Sequence, residues 1–283
     1  MPLVTSKELL LDAQKGGYAV GAFNVENMEM VMAVLAAAEE TSSPVIMQTT
    51  PGTIRFAGLD YYLANVRVAA ERTKIPVVMH LDHGDSLNMA MQAYRAGYTS
   101  IMIDGSKLPF ADNIALTKTV TDACHPGNIP VEGELGKVGG KEDDLENEDG
   151  SPYTDPDEAA EFVKRTNVDF LAVGIGTSHG VYKGTPCVNV DCLSAIRSVV
   201  DIPLVMHGTS GVPDEQVRDC ISRGICKVNY ATDLRIAFTR GIKAYMQEHP
   251  DAFDPKKYAA QGMKEVQAYV MQKMDVLGST GKA

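Results

Sequence analysis

The sequence has no tryptophan, and phenylalanine, tyrosine and tryptophan together make up only 6% of its 283 residues. No apolar run approaches the roughly 20 residues needed to cross a bilayer, so a membrane-embedded chain is not expected. Positive charge is also short. Against 37 Asp and Glu there are 26 Lys and Arg, giving a formal net charge of -11 and a pI near 5.0. That balance argues against free nucleic-acid binding, and an anionic ligand needs a local positive site to overcome it. The N-terminus, "MPLVTSKELL", lacks the basic segment and apolar stretch of a secretory leader. Cysteine is sparse and unpatterned: Cys124, Cys187, Cys192, Cys220 and Cys226 are odd in number and show no CxxC spacing. A disulfide framework or a four-cysteine zinc knot is therefore not expected; reduced thiols in a cytoplasmic protein are.

What is present is a core-forming composition, 45% hydrophobic and 22% charged. Short apolar runs alternate with longer amphipathic ones. Strands are predicted at 18–25, 44–50, 76–83, 100–106, 130–136, 170–176, 203–211 and 227–233. Helices follow them at 27–40, 59–73, 86–97, 109–124, 155–166, 190–200, 214–224 and 234–249. The strands are Val- and Ile-rich and apolar on both faces, as parallel strands covered by helices must be. Eight consecutive strand-helix units in a chain of this length predict an α/β fold, a closed (β/α)8 TIM barrel, rather than an open doubly wound sheet. A further helix over about 256–276 lies outside the eightfold count and is expected to close the barrel or form a subunit contact. No internal boundary is visible, so residues 1–283 are read as one domain. One connection breaks the rhythm. "KVGGKEDDLENEDGSPYTDP" (137–156) is long, acidic and glycine-containing, and its place after a barrel strand suggests a lid.

Active sites of such barrels gather at the C-terminal ends of the strands. His80, Asp82 and His83 end the third strand, Asp104 ends the fourth, and Glu132 and Glu134 lie on the fifth. His179 follows the sixth, His207 ends the seventh, and Asn229 and Asp233 follow the eighth. Three histidines at one rim, His83, His179 and His207, suit a catalytic ion of the zinc type, which uses three protein ligands and keeps a position for substrate. His80 faces the same way as Asp82 and is expected to support the site. His125 and His249 fall near helix ends and read as surface groups. "HGTSG" (207–211) and "NYATD" (229–233) follow the seventh and eighth strands, the usual phosphate site of this fold. Gly180 adds a donor and Lys183 a charge. Such a cradle of backbone dipoles lets an acidic protein hold an anion.

At this point the chain resembles the class II, metal-dependent ketose-bisphosphate aldolases. The matching stretches are "GAFNV", "HLDHG", "MIDGS", "VEGELGKVGGKEDD", "GIGTSHGVY", "VMHGTSG" and "CKVNYATDLR", in order from residue 21 to 235. Within that family, "TPGT" (50–53), "LPFADNI" (108–114) and "EHPDAFDPKKY" look closest to the tagatose-1,6-bisphosphate aldolases, with short-type fructose-1,6-bisphosphate aldolases near. The resemblance implies reversible cleavage of a ketose 1,6-bisphosphate to dihydroxyacetone phosphate and glyceraldehyde 3-phosphate. It implies that His83, His179 and His207 hold a catalytic Zn2+, with Asp104 and Glu134 at a second or alternative metal position. Asp82 would be the acid/base at the C4 hydroxyl, and Glu142 the base that exchanges a proton with the dihydroxyacetone phosphate carbon. Asn24, Thr50, Gly180, Lys183, Gly208, Thr209, Ser210, Asn229, Tyr230, Ala231 and Thr232 would contact substrate, most of them at its phosphate. A monovalent cation, Na+ or K+, near that phosphate, a homodimer or homotetramer, and a noncatalytic accessory barrel subunit are further family expectations. Thr209 stands where the family often has Ala.

Other readings stay open on the sequence: an aldolase of the family acting on another ketose phosphate, a metal-dependent phosphatase or isomerase on the same barrel, or a noncatalytic barrel module. The 6-phosphate partner is undecided among Arg55, Lys183, Arg235 and Arg240. The choice between fructose and tagatose, which differ only at C4, is equally open.

Overall fold

The computed structural model describes residues 3–142, 145–147, 153–182, 184 and 186–283, with the side chains of 141, 142 and 145–147 left out of the description. Among these residues the strands are β1 Val20–Asn24, β2 Val45–Thr49, β3 Val77–Gly84, β4 Ser100–Ile103, β5 Val131–Leu135, β6 Gly139–Glu142, β7 Leu145–Asn147, β8 Phe170–Val173, β9 Ser178–His179, β10 Leu204–Met206 and β11 Ile225–Tyr230. The α-helices are α1 Ser6–Gly16, α2 Met28–Thr41, α3 Pro51–Ala57, α4 Leu59–Glu71, α5 Leu87–Ala96, α6 Phe110–Cys124, α7 Pro156–Thr166, α8 Val190–Val199, α9 Asp214–Ser222, α10 Thr232–Glu248 and α11 Pro255–Val276.

Eight of the strands close into a parallel barrel in the order β1, β2, β3, β4, β5, β8, β10, β11 and back to β1. Every residue of these strands is buried, which explains the unbroken apolar runs. Helix starts carry the expected caps: Asn27, Ser86 and Asp155 each accept a backbone N–H of the following turn. The strand-helix alternation and the closed barrel therefore match the sequence reading. Two helices escaped it. α3 follows β2 directly, with Thr50 as N-cap and Pro51 at its first position. α1 sets Leu10 and Ala13 against the inward residues Val20, Ile46, Val78, Phe170 and Val205.

Inward side chains alternate along the strands. Near the strand starts the interior is apolar, with Val20, Ile46, Val78, Phe170 and Val205. Toward the C-terminal ends it turns polar, with Asn24, Gln48, His80, Asp82, Glu132, Glu134, Lys227 and Asn229. The extra C-terminal helix, α11, packs on α10 and α2. Gly241 and Gly262 make the α10–α11 approach possible, since a Cβ on Gly241 would sit 2.6 Å from the Gln261 carbonyl.

The long acidic connection is partly structured. β6 and β7 form an antiparallel hairpin, and β6 pairs in parallel with β9, with Gly140 opposite His179.

Candidate metal and catalytic centre

Successive residues of a strand point to opposite faces, so Asp82 and His83 should not share one. The backbone resolves this. The β3–β4 register shifts between Leu81 and Gly84, and His83 adopts a left-handed φ of +47°. This local distortion, strained for a residue with a Cβ, allows both neighbouring side chains to enter the site. Both are buried.

The Asp82 carboxylate is held by two amides. Asn24 Nδ2 donates to one oxygen at 2.8 Å and Asn229 Nδ2 to the other at 3.1 Å. Gln48 Nε2 in turn donates to Asn24 Oδ1 at 2.8 Å, which fixes the Asn24 amide with its nitrogen toward Asp82.

The three rim histidines converge. Their ring centroids lie 4.6 Å (His83–His207), 5.0 Å (His83–His179) and 6.0 Å (His179–His207) apart. One ring nitrogen from each falls in a group spanning no more than 4.8 Å; His83, Asp104 and Glu134 form a second such group. The surroundings of two rings decide which nitrogen faces the centre. Asp104 Oδ2 lies 2.8 Å from His83 Nδ1, and Glu132 Oε1 lies 2.9 Å from His207 Nε2. A carboxylate on the outer nitrogen calls for N–H there, leaving a lone pair on the inner one. The inner nitrogens, His83 Nε2 and His207 Nδ1, then face each other at 2.9 Å. Two imidazoles so oriented suit a shared cation, and the donor set fits an ion of the zinc type.

The acids around the rings are driven apart. Burial alone would raise Asp104, but hydrogen bonds from His83 and Ser106 outweigh it and hold the carboxyl well below the usual range. Burial likewise opposes ionisation of Glu132, and Lys227, His207 and His80 reverse it. Glu134 lacks such compensation. Burial first, then Asp104, Glu132 and Asp82, push it well above the carboxylate norm, His83 opposing them. Its Oε2 lies 3.5 Å from His207 Nδ1 and 3.8 Å from His83 Nδ1.

Beside the histidines, Gly180, Gly208, Thr209, Ser210, Asn229, Ala231 and Thr232 line one small cleft with His179. α10 starts at Thr232, so a 17-residue helix directs its N-terminus at the cleft. Gly208 has φ +62°, and a Cβ there would lie 2.6 Å from the Ser178 backbone, beside His179. Tyr182 spans the same seam: its hydroxyl accepts from Ser178 N–H at 2.7 Å and donates to the Gly208 carbonyl at 2.8 Å. Tyr230 offers only backbone here, because its ring is buried in the outer layer against Phe23 and Tyr269. Thr50 lies at the end of β2 as the buried cap of α3. Glu142 is fixed in sequence two residues beyond Gly140, opposite His179, but its side chain lies outside the description, and Lys183 lies outside the described residues.

Gln48, Glu132, Ser106, Tyr182 and Lys227 were not assigned site roles from the sequence. The period of two offered a signal for three of them, since Gln48, Glu132 and Lys227 are charged or amide side chains at inward positions of otherwise apolar strands.

With the barrel and this centre in hand, the chain belongs to the class II fructose-bisphosphate aldolases: the model of the family "Fructose-bisphosphate aldolase class-II" matches residues 4–282. Among solved structures, the chain is similar to the YdjI aldolase of Escherichia coli K12, with 37% identity over 99% of each chain and a TM-score of 0.89. It is also similar to a candidate fructose-1,6-biphosphate aldolase from Coccidioides immitis, 29% identical over 97% of this chain and 96% of that one, TM-score 0.89. Fructose-bisphosphate aldolase from Campylobacter jejuni, 22% identical with a TM-score of 0.84, shares the fold.

Proposed function

We propose that the chain is a zinc-dependent aldolase that reversibly cleaves a ketose 1,6-bisphosphate, fructose or tagatose, to dihydroxyacetone phosphate and glyceraldehyde 3-phosphate, and that residues 1–283 act as one catalytic domain. The observation that carries this reading is the convergence of His83, His179 and His207 beside an Asp82 carboxylate held by Asn24 and Asn229.

His83, His179 and His207 would hold the zinc, with Asp104 and Glu134 available for a second position. When bound, the ion supplies Lewis-acid stabilisation of the charge that bond cleavage leaves on the three-carbon fragment. Asp82 takes the proton of the C4 hydroxyl as the C3–C4 bond breaks and a C4 aldehyde forms. Its two amide contacts keep the carboxylate oriented for that transfer. Glu142 returns a proton to C3, completing dihydroxyacetone phosphate. The amides of Gly180, Gly208 to Ser210 and Asn229 to Thr232, with the start of α10, hold the phosphate next to the histidines.

One observation favours a second reading, a ketose phosphate with an uncharged tail. Among the described residues, the candidates for a 6-phosphate, Arg55, Arg235 and Arg240, each already hold an acid: Asp85 at 3.2 Å, Glu26 at 2.8 Å and Glu265 at 3.0 Å; Lys183 lies outside those residues.

A coupled triose phosphate assay of zinc-loaded protein tests both readings. If neither fructose nor tagatose 1,6-bisphosphate yields triose phosphate, the bisphosphate reading fails. Condensation of dihydroxyacetone phosphate with unphosphorylated glyceraldehyde in preference to its 3-phosphate would favour the second.

A further inference from the structure

Below the rim, the barrel interior holds an ion pair that the reaction does not touch. Lys227 and Glu132 are completely buried, and Lys227 Nζ lies 2.9 Å from Glu132 Oε2. The other oxygen of Glu132 is the one that meets His207 Nε2 at 2.9 Å. His80, also completely buried, brings Nε2 to 3.5 Å from Glu132 Oε2. Its Nδ1 contacts Ser100 Oγ at 2.7 Å, and Ser100 Oγ contacts Ser6 Oγ at 2.8 Å. A column of buried polar groups thus runs from α1 through the barrel to a rim histidine, its His80–Glu132 step a close approach rather than a hydrogen bond. Its floor is apolar, formed by Val20, Val78, Phe170 and Val205.

A buried ammonium and carboxylate are costly to desolvate, and replacing such a pair by apolar groups often leaves stability unchanged or improved. Stability therefore does not explain the pair well. Its geometry does. Glu132 can orient His207 only if its acceptor oxygen stays in place, and Lys227 is the cation that sits against its far oxygen, where its loss would leave a buried charge free to pull the carboxylate away.

We infer that Lys227 is a positioning residue for the metal centre. It anchors Glu132, Glu132 fixes the ring of His207, and His207 Nδ1 is thereby presented to the ion. The inference rests on the zinc reading above and adds to it a residue that touches neither ion nor substrate. Outer partners of metal-bound histidines typically change metal affinity by about 10- to 100-fold.

The test is a double-mutant cycle read as zinc affinity, by competition with a chromophoric chelator, and as the visible spectrum of the cobalt-substituted protein. Lys227→Met strands the Glu132 charge. It is expected to weaken zinc binding about 10- to 100-fold and to alter the cobalt bands. In Lys227→Met/Glu132→Gln both charges are gone, and the glutamine carbonyl can still accept from His207. That variant is expected to regain most of the lost affinity together with the wild-type cobalt bands, whereas a merely structural lysine would leave those bands unmoved in every variant that folds. It also keeps the test decisive if the single variant folds poorly. Wild-type affinity and spectrum in Lys227→Met would overturn the inference, as would a double variant at least as impaired as the single one. Failure of wild-type protein to bind zinc would overturn this inference and the zinc reading together. Zinc binding without cleavage of any ketose phosphate would sink the aldolase reading alone, because the affinity cycle does not depend on turnover.

Discussion

At the scale of the residue, the proposed function gives Asp82 and the histidines separate roles. Its oxygens are taken by Asn24 and Asn229, and among the described residues no ring nitrogen is a hydrogen-bond partner. Asp82→Ala is therefore expected to retain zinc, measured by elemental analysis after dialysis, while cleavage falls by at least about 100-fold, the scale of a lost general base. Loss of zinc in that variant would make Asp82 a ligand or a scaffold instead. Gln48 acts one step further back, holding the Asn24 amide. Gln48→Leu should lower kcat while leaving zinc content unchanged, since it frees Asn24 to rotate away from Asp82. His80 makes a different prediction. Burial, with the Lys227 ammonium near, holds it well below the ordinary imidazole range, so it is neutral in the fold. The unfolded chain takes up its proton near pH 6.5, so stability is full above that pH and declines as the pH falls below it, by at most about 1.4 kcal/mol per pH unit. Thermal melts of the metal-free protein from pH 7.5 to 5 should show this decline, and His80→Gln should lessen it, leaving the share of His207, which burial also holds below the imidazole range.

At the scale of the element, α11 is more than a cover. Tyr269 donates to Asp233 Oδ2 at 2.6 Å, and the same oxygen accepts from Gly211 N–H at 3.1 Å. Lys273 Nζ meets Asp214 at 2.6 Å. One helix thus grips the starts of α9 and α10, the two helices that follow the loops proposed to hold phosphate. Tyr269→Phe is expected to raise the KM for dihydroxyacetone phosphate in the condensation direction several-fold with little change in kcat, because the cradle loosens while Asp82 and the histidines stay. An unchanged KM would show that the loops hold themselves. The sequence marked 256–276 as an extra helix, yet nothing in it tied Tyr269 to residue 211, since that link exists only once both pack on α10. The small sheet was hidden for another reason. Gly139, Gly140 and the acids after them have low strand propensity, and the two glycines pair with Ser178 and His179, residues distant in sequence.

At the scale of the whole molecule, the barrel was legible because parallel strands buried on both faces leave apolar runs that no amphipathic helix resembles. The rim was legible through it: once eight strands were counted, their C-terminal ends collected the histidines. What stayed hidden was the interior, where Glu132 and Lys227 meet across β5 and β11. Strands so distant in sequence give no local sign of which inward charge faces which. The net charge of -11 acts at this scale too. On the proposed bisphosphate reading, a protein of this charge repels its substrate at long range and should bind it better when that repulsion is screened. The KM for the bisphosphate is expected to fall by about two-fold between low and physiological ionic strength. A steep rise instead would mean that the local field of the cradle governs approach.

The bulge at His83 shifts the reading frame of β3. Up to that point the even positions 78, 80 and 82 face inward; after it, residue 83 does so as well. A one-residue deletion that straightened the strand would restore strict alternation and turn one of the two side chains out. The position is also caught between two demands. Glycine would relax the left-handed backbone but bring no imidazole, and a β-branched residue would bring strain of about 1–2 kcal/mol and no ligand. Both changes strip Asp104 of its hydrogen bond from His83, so in the metal-free protein the backbone strain is read from the difference between them, and His83→Val should melt below His83→Gly. Relief of backbone strain and retention of the metal are mutually exclusive at this one residue.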